Sequence, residues 1–218
     1  MAKLVWDAAG AHKYETGVDH GTIWVDGGNA VAWNGLTSVS EAPEGADNTS
    51  LYADNIKYLT LQSAEEFGFS INAYTYPEEF EACDGLADPS ATGVVIGQQA
   101  RKSFGFYYRT KVGNDQNADA GYKHHFIYGC KASPSSKDYS TVNDSPEAIE
   151  FSWEVDTTPV TFTLSGTDYT TATVSIDDSL ITDATKKATF NTWLDGVTDD
   201  AADMPTPDEI MTAAATWQ

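Results

Sequence analysis

Residues Ala148–Asp156 alternate without a break: Ile149, Phe151, Trp153 and Val155 fall on one side, and Glu150, Ser152, Glu154 and Asp156 on the other. A period of two puts successive side chains on opposite faces of an extended chain, so this stretch fits a half-buried strand. Its apolar side needs a second layer to cover it. Its polar side carries three carboxylates.

Several other segments follow the same rule. Thr22–Val25 and Ala30–Trp33 flank Asp26-Gly27-Gly28-Asn29 and read as a hairpin. Lys57–Ser63 and Glu66–Tyr76 alternate, with Phe67, Phe69, Ile71 and Ala73 on one face. In Phe104–Val112, Phe104, Phe106 and Tyr108 share a face while Tyr107, Arg109 and Lys111 share the other, so aromatics stand on both sides. Tyr122–Cys130 follows across the Gly113–Gly121 loop, and shorter strands are expected at Thr161–Leu164 and Thr171–Ile176. The predicted fold is mainly β, an antiparallel sandwich or barrel, with aromatic residues at 12% and Thr frequent, as pleated surfaces favour.

Helical signals are few. Pro77 opens PEEFEACDG and Gly85 closes it, which predicts a short helix of about two turns. Near the end, Asp183 is placed to cap a helix carrying Phe190, Trp193, Leu194 and Val197, with Gly196 near its end. Thr206-Pro207-Asp208-Glu209 has the form of a capping box ahead of Ile210, Ala213, Ala214 and Trp217. At 218 residues with 41% hydrophobic, the chain suits one core: residues 1–180 as the β domain and 181–218 as a helical extension packed on it.

Ser38–Asn55 departs from the pattern. It is rich in Glu, Gly, Asp, Asn and Ser, contains Pro43, and at about 18 residues exceeds an ordinary connection. A long polar loop of this kind is expected to order on assembly and bridge subunits, which makes Glu41, Glu44, Asp47, Tyr52 and Asp54 candidate interface residues.

Asp and Glu number 33 against 12 Lys and Arg, a net charge of −21, which disfavours adhesion to phosphate backbones or anionic lipid. Seven of the bases fall between Arg101 and Lys137, leaving large acidic remainders on either side. MAKLVWDAAGAHKYETG has no apolar run of signal-peptide length, and no stretch nears the roughly 18 apolar residues of a membrane span. The expectation is therefore synthesis in the cytoplasm, with no membrane partner. Cys83 and Cys130 are too few and too separated for a disulfide framework or a zinc site, and are expected to be reduced.

No pattern demands catalysis. Asp115, Asn117 and Asp119 resemble the start of a calcium loop, but Gly121 comes one place late and the twelfth position has no Glu. His124 and His125 are adjacent on a strand and point to opposite faces, so they cannot share a metal. Glu65-Glu66, Glu78-Glu79 and Asp177-Asp178 are pairs to be expected by coincidence among so many acids, although a glycosidase would need two of that type. Nucleophile elbow, zincin, phosphate-loop and dinucleotide motifs are all missing from the sequence.

Four stretches carry a resemblance: VAWNGLTSVSEAPEGADNTSLYADNIKYL, EEFGFSINAYTYPEEFEACDG, IGQQARKSFGFYYRT and YGCKASPSSKDYSTVNDSPEAIEFSWEVDTTPV. Together, over roughly residues 1–180, they resemble the major tail proteins, or tail tube proteins, of siphophages and prophages of Gram-positive bacteria. The helices beyond Asp183 are similar only in kind. The resemblance implies two packed antiparallel sheets with a flanking helix, in hexameric rings stacked into a hollow tube. It implies no enzyme and no cofactor. The implied partners are further copies of the chain, a tape measure protein, and tail terminator and initiator proteins, with phage DNA passing through unbound. The implied location is the tail of the virion, with the host cytoplasm as the place of assembly. Glu150, Glu154 and Asp156 are then candidates to face the lumen, since carboxylates let DNA slide where lysines would hold it. The alternative from another class is a secreted carbohydrate-binding β-sandwich module, suggested by Trp and Tyr on an acidic scaffold.

Overall fold

The computed structural model of the chain describes residues 6–88, 93–141 and 148–217. The strands are β1 (Lys13–Val25), β2 (Ala30–Trp33), β3 (Leu36–Glu41), β4 (Glu44–Gly45), β5 (Asn48–Ala53), β6 (Ile56–Gln62) and β7 (Glu65–Glu66). Then come β8 (Gly68–Ala73), β9 (Phe104–Asn114), β10 (Gly121–Ala132), β11 (Phe151–Thr157), β12 (Val160–Leu164), β13 (Thr167–Thr171) and β14 (Thr173–Asp177). Two helices follow, α1 (Ala184–Val197) and α2 (Pro207–Ala214).

The expected mainly β, antiparallel architecture is what forms: one eight-stranded sheet that β10 divides into two layers, a first and a second sheet, with helices outside and no closed barrel among the described residues. The first sheet runs β2-β1-β9-β10-β14 and the second β11-β8-β3. One strand belongs to both. On one edge β10 pairs with β9, and on the other it pairs first with β14 over Lys123–Ile127 and then with β11 over Cys130–Ala132. The bend between these halves falls at Gly129, whose φ is +59°. A Cβ there would lie 2.2 Å from the Thr158 carbonyl oxygen, so only glycine fits the corner.

Two cores result. Between the sheets, Ile23, Trp33, Phe69, Ile71, Phe106 and Trp153 pack with Phe80 among them. On the outer side of the first sheet, Trp24, Tyr107, Phe126 and Tyr128 are covered by Val197 and Ile210 of the two helices. The first sheet is thus a middle layer. That explains the aromatics on both faces of β9: Phe106 and Tyr108 enter the inter-sheet core and Tyr107 the core under the helices, each essentially buried. Both faces are used inside the subunit.

Helix punctuation follows the residues that specify it. Asp183 accepts from the Thr185 and Lys186 amides at 2.9 and 3.0 Å. Thr206 and Glu209 form the reciprocal capping box. PEEFEACDG makes a five-residue 3-10 helix, Glu78–Ala82, instead of two α-turns; Pro77 is its cap, and Phe80 anchors it in the core. Cys83 and Cys130 are both free and buried, and burial pushes the Cys83 thiol up to about 12 and that of Cys130 well above its ordinary value.

Ser38–Asn55 is not a loop. β3 carries it along the edge of β8, β4 pairs with β7, and β5 pairs with β6 around the Asp54-Asn55 turn. Both turn residues have positive φ, 52° and 62°, as a two-residue hairpin turn with the right-handed twist of strands requires. The polar composition concealed a sheet edge followed by a hairpin.

Candidate assembly surface

The hairpin of β5 and β6 stands apart from the sandwich as an arm. Among the described residues each strand pairs only with the other, and every residue of β6 is exposed. Thr49 pairs with Leu61 and Leu51 with Leu59, so these four share one face; beyond a bulge, Tyr52, Ile56 and Tyr58 lie near the tip. Tyr52, Ile56 and Tyr58 are each about two-thirds exposed or more, and Leu51, Leu59 and Leu61 a third to a half. A two-stranded ribbon with no covering layer is marginally stable in water. Such clustering of exposed apolar side chains marks an interaction surface.

The base of the arm is held firmly. Ser63 N–H donates to the Asp47 carbonyl at 3.0 Å, and the Ser63 hydroxyl accepts from Asp47 N–H at 2.9 Å. Gly45 has φ +83°, and a Cβ there would meet the Ala64 carbonyl oxygen at 2.3 Å, so the close approach of β4 to β7 needs glycine.

The candidate interface residues separate into four places. Tyr52 and Asp54 are on the arm, Asp47 is at its root, and Glu44 sits opposite Glu66 on β4 and β7. Glu41 instead lies in the inward-facing row of β3, beside Phe69, and accepts a hydrogen bond from the Tyr108 hydroxyl at 2.8 Å. It is tied into its own subunit.

The second sheet presents its outer face in register. Ser152, Asn72 and Ser38 form one row, Glu154, Ser70 and Ser40 the next, and Asp156 stands across from Gly68. Asn72 Nδ2 donates to Ser38 Oγ at 2.9 Å. Glu154 and Asp156 meet Glu44 and Glu66 along one shallow groove where this face runs into the arm. Glu150 precedes β11 at the other end and accepts from the Thr37 hydroxyl. The face is therefore polar, studded with hydroxyls and carboxylates, and bare of the apolar cover that the first sheet has.

The remaining clusters are satisfied internally. His124 and His125 do point to opposite faces: His125 stacks on Tyr108 at 4.6 Å, and His124 is buried under α1. Asp178, missed in the sequence as anything but half of an acidic pair, is the centre of a buried network. It accepts from Tyr122 N–H at 2.6 Å, from Lys187 Nζ at 2.8 Å, and from His124 Nε2 at 3.4 Å. A carboxylate only accepts, so Nε2 carries the proton, and the Tyr107 hydroxyl hydrogen-bonds with Nδ1 at 2.8 Å. Burial raises the Asp178 carboxyl, but those hydrogen bonds outweigh it and hold its pKa below the ordinary value. In the Asp115–Asp119 loop, Asn114 Oδ1 accepts from the Gln116 and Asn117 amides, and Lys111 pairs with Asp119. Among the described residues no group of three or more His, Cys, Asp or Glu is arranged to hold a metal, and no helix is long and apolar enough to cross a membrane.

No family model matches the chain, and no curated protein matches it. Among solved structures, the chain has a loose likeness to one from the six-fold symmetrised baseplate of the anti-feeding prophage. The identity is 6%, the alignment spans 79% of this chain and 97% of the other, and the TM-score is 0.35, too low to carry a functional conclusion.

Proposed function

We propose that this chain is a non-catalytic structural subunit, the major tail tube protein of a long-tailed phage, which assembles with its own copies into stacked, hexameric rings. The observation that carries the reading is the arm: six large apolar side chains on a hairpin that stands uncovered among the described residues. Covering them stabilises a contact by on the order of 5–10 kcal/mol. Association costs a comparable amount, so one arm contact alone is weak. It becomes durable when every subunit both gives and receives one, which is the situation in a closed ring or a stacked tube.

Two further features support it. The resemblance over residues 1–180 implies this assembly, and the bare outer face of β11, β8 and β3 supplies a hydroxyl and carboxylate wall suited to a bore through which DNA slides. In that arrangement Glu154 and Asp156 line the lumen, DNA passes without specific binding, and tape measure, terminator and initiator proteins are the other partners in the virion tail. No cofactor is required.

Electron microscopy of the concentrated protein is the test. Rings and tubes are expected from the intact chain. Because Asp47 and Ser63 already hydrogen-bond across the root, Asn48–Gln62 is replaceable by a Gly-Gly turn without opening the sandwich. That variant is expected to stay folded and monomeric. Normal tubes from the armless variant, or a wild type monomeric at every concentration and salt but retained on insoluble polysaccharide, would overturn the proposal.

A further inference from the structure

We infer that the arm of one subunit seats in the groove between β14 and α2 of a second copy of this chain, an inference that rests on the self-assembly reading above. The groove is a cavity of about 420 Å³. Four consecutive residues of β14, Val174–Asp177, line it, so the strand offers its edge to the cavity and not one face alone. Among the described residues β14 pairs only with β10, which leaves its other edge open. Ile210 and Trp217 form the apolar floor, and Leu180 and Met211 stand exposed at the lips.

Arm and groove answer each other in three ways. Among the described residues both outer edges of the arm are unpaired, as is that of β14, so an arm strand is able to extend the first sheet by strand addition while its Leu51, Leu59 and Leu61 face meets the floor. Charge agrees as well: in a chain of net −21, Asn48–Gln62 contains one acid, Asp54, and one base, Lys57. It is the element that approaches another copy with the least repulsion, and Lys57 near its tip meets the rim carboxylates of Asp177 and Asp183. Topology places the two on different layers, the arm rooted between β3 and β8 of the second sheet and the groove on the helix side of the first. Arm into groove is therefore head to tail, the kind of contact that propagates into rings or filaments.

Cysteine cross-linking of assembled protein tests it, with the native Cys83 and Cys130 buried and out of reach. Chains with cysteine at Tyr52, Ile56 or Tyr58 are co-assembled with Leu180→Cys chains and oxidised, with Tyr139→Cys as an exposed control away from the groove. An inter-chain disulfide to Leu180→Cys from at least one arm position, about tenfold above the control, is expected. Leu180→Glu, at a side chain 65% exposed and so harmless to folding, is expected to raise the assembly threshold about tenfold while its melting curve stays that of wild type. Assembled protein in which no arm position cross-links to Leu180→Cys, or a wild-type threshold in Leu180→Glu, overturns the groove and leaves self-assembly standing. A wild type that never assembles overturns both.

Discussion

Replacing Asp178 by Asn keeps the shape of the side chain and removes its charge. In the folded protein the carboxylate takes three hydrogen bonds, from Tyr122 N–H, Lys187 and His124, while being only 3% exposed. Asn retains one acceptor, at the position that serves both Tyr122 N–H and Lys187, but a neutral one, and turns its N–H₂ group toward the remaining donor, His124 Nε2. Lys187 is partly exposed and recovers some solvation, so the loss is smaller than for a fully enclosed pair; about 2–4 kcal/mol is expected. Urea denaturation followed by Trp fluorescence measures it. The acid limb carries the sharper expectation. The folded-state pKa is depressed below the ordinary 3.8, so this group's contribution is complete above the unfolded value and disappears as pH falls through the folded one. The gap between wild type and Asp178→Asn should be widest near pH 5 and narrow steadily below about 4. Equal midpoints at pH 5, or a gap unchanged at the acid end, would refute the account of Asp178 as a charged rivet.

Other outcomes follow from the same contacts. Trp153→Ala removes a fully buried ring packed on Trp33, Tyr76, Phe80 and Phe151, and should cost about 3–5 kcal/mol in the same denaturation assay. Thiol titration of the native protein should find Cys83 and Cys130 unreactive, and both should react once urea unfolds the chain. In a ring of six, subunits at −21 each bring 6 × 21 = 126 negative charges together. Salt shortens the reach of that repulsion from about 8 Å near physiological strength to about 3 Å at 1 M, so light scattering should show tube growth increasing with NaCl. Tubes that dissolve as salt rises would mean that ion pairs hold the rings.

Much of the sandwich was legible because period-two patterning is a direct imprint of burial on one face. Phe151 to Val155, Phe69 to Ala73 and Phe104 to Tyr108 all point where their alternation says, whereas Ile149 lies ahead of β11 and is exposed. Caps were legible for a similar reason, since Asp183 and Thr206 act on amides two or three residues away. What was hidden depends on distant partners. Lys13–His20 of β1 shows no apolar alternation because both its faces are largely exposed, and its pairing with β9 identifies it. The arm was read in part as loop because an uncovered ribbon has no buried face to imprint a pattern; the available signal was Asp54-Asn55 between two β-forming runs. The double aromatic face of β9 was visible in the sequence, but its second cover is supplied by helices more than 70 residues later in the chain, which no local pattern announces. Of the candidate residues, Tyr52 and Asp54 stand on the arm, and the contact of Glu41 with Tyr108 crosses 67 positions, which no local pattern reveals.

The shared strand also governs how this subunit comes apart. Since β10 is hydrogen-bonded into the first sheet along its first half and into the second along its last residues, neither sheet can open without tearing the strand that completes the other. Amide exchange in Phe69–Ala73 and in Phe104–Tyr108 should then slow to a common rate, that of global opening, with the arm exchanging freely long before either. A tube built of such units yields at the joints between subunits before any single subunit is pulled open, so a long, thin structure can bend under load and keep its wall intact.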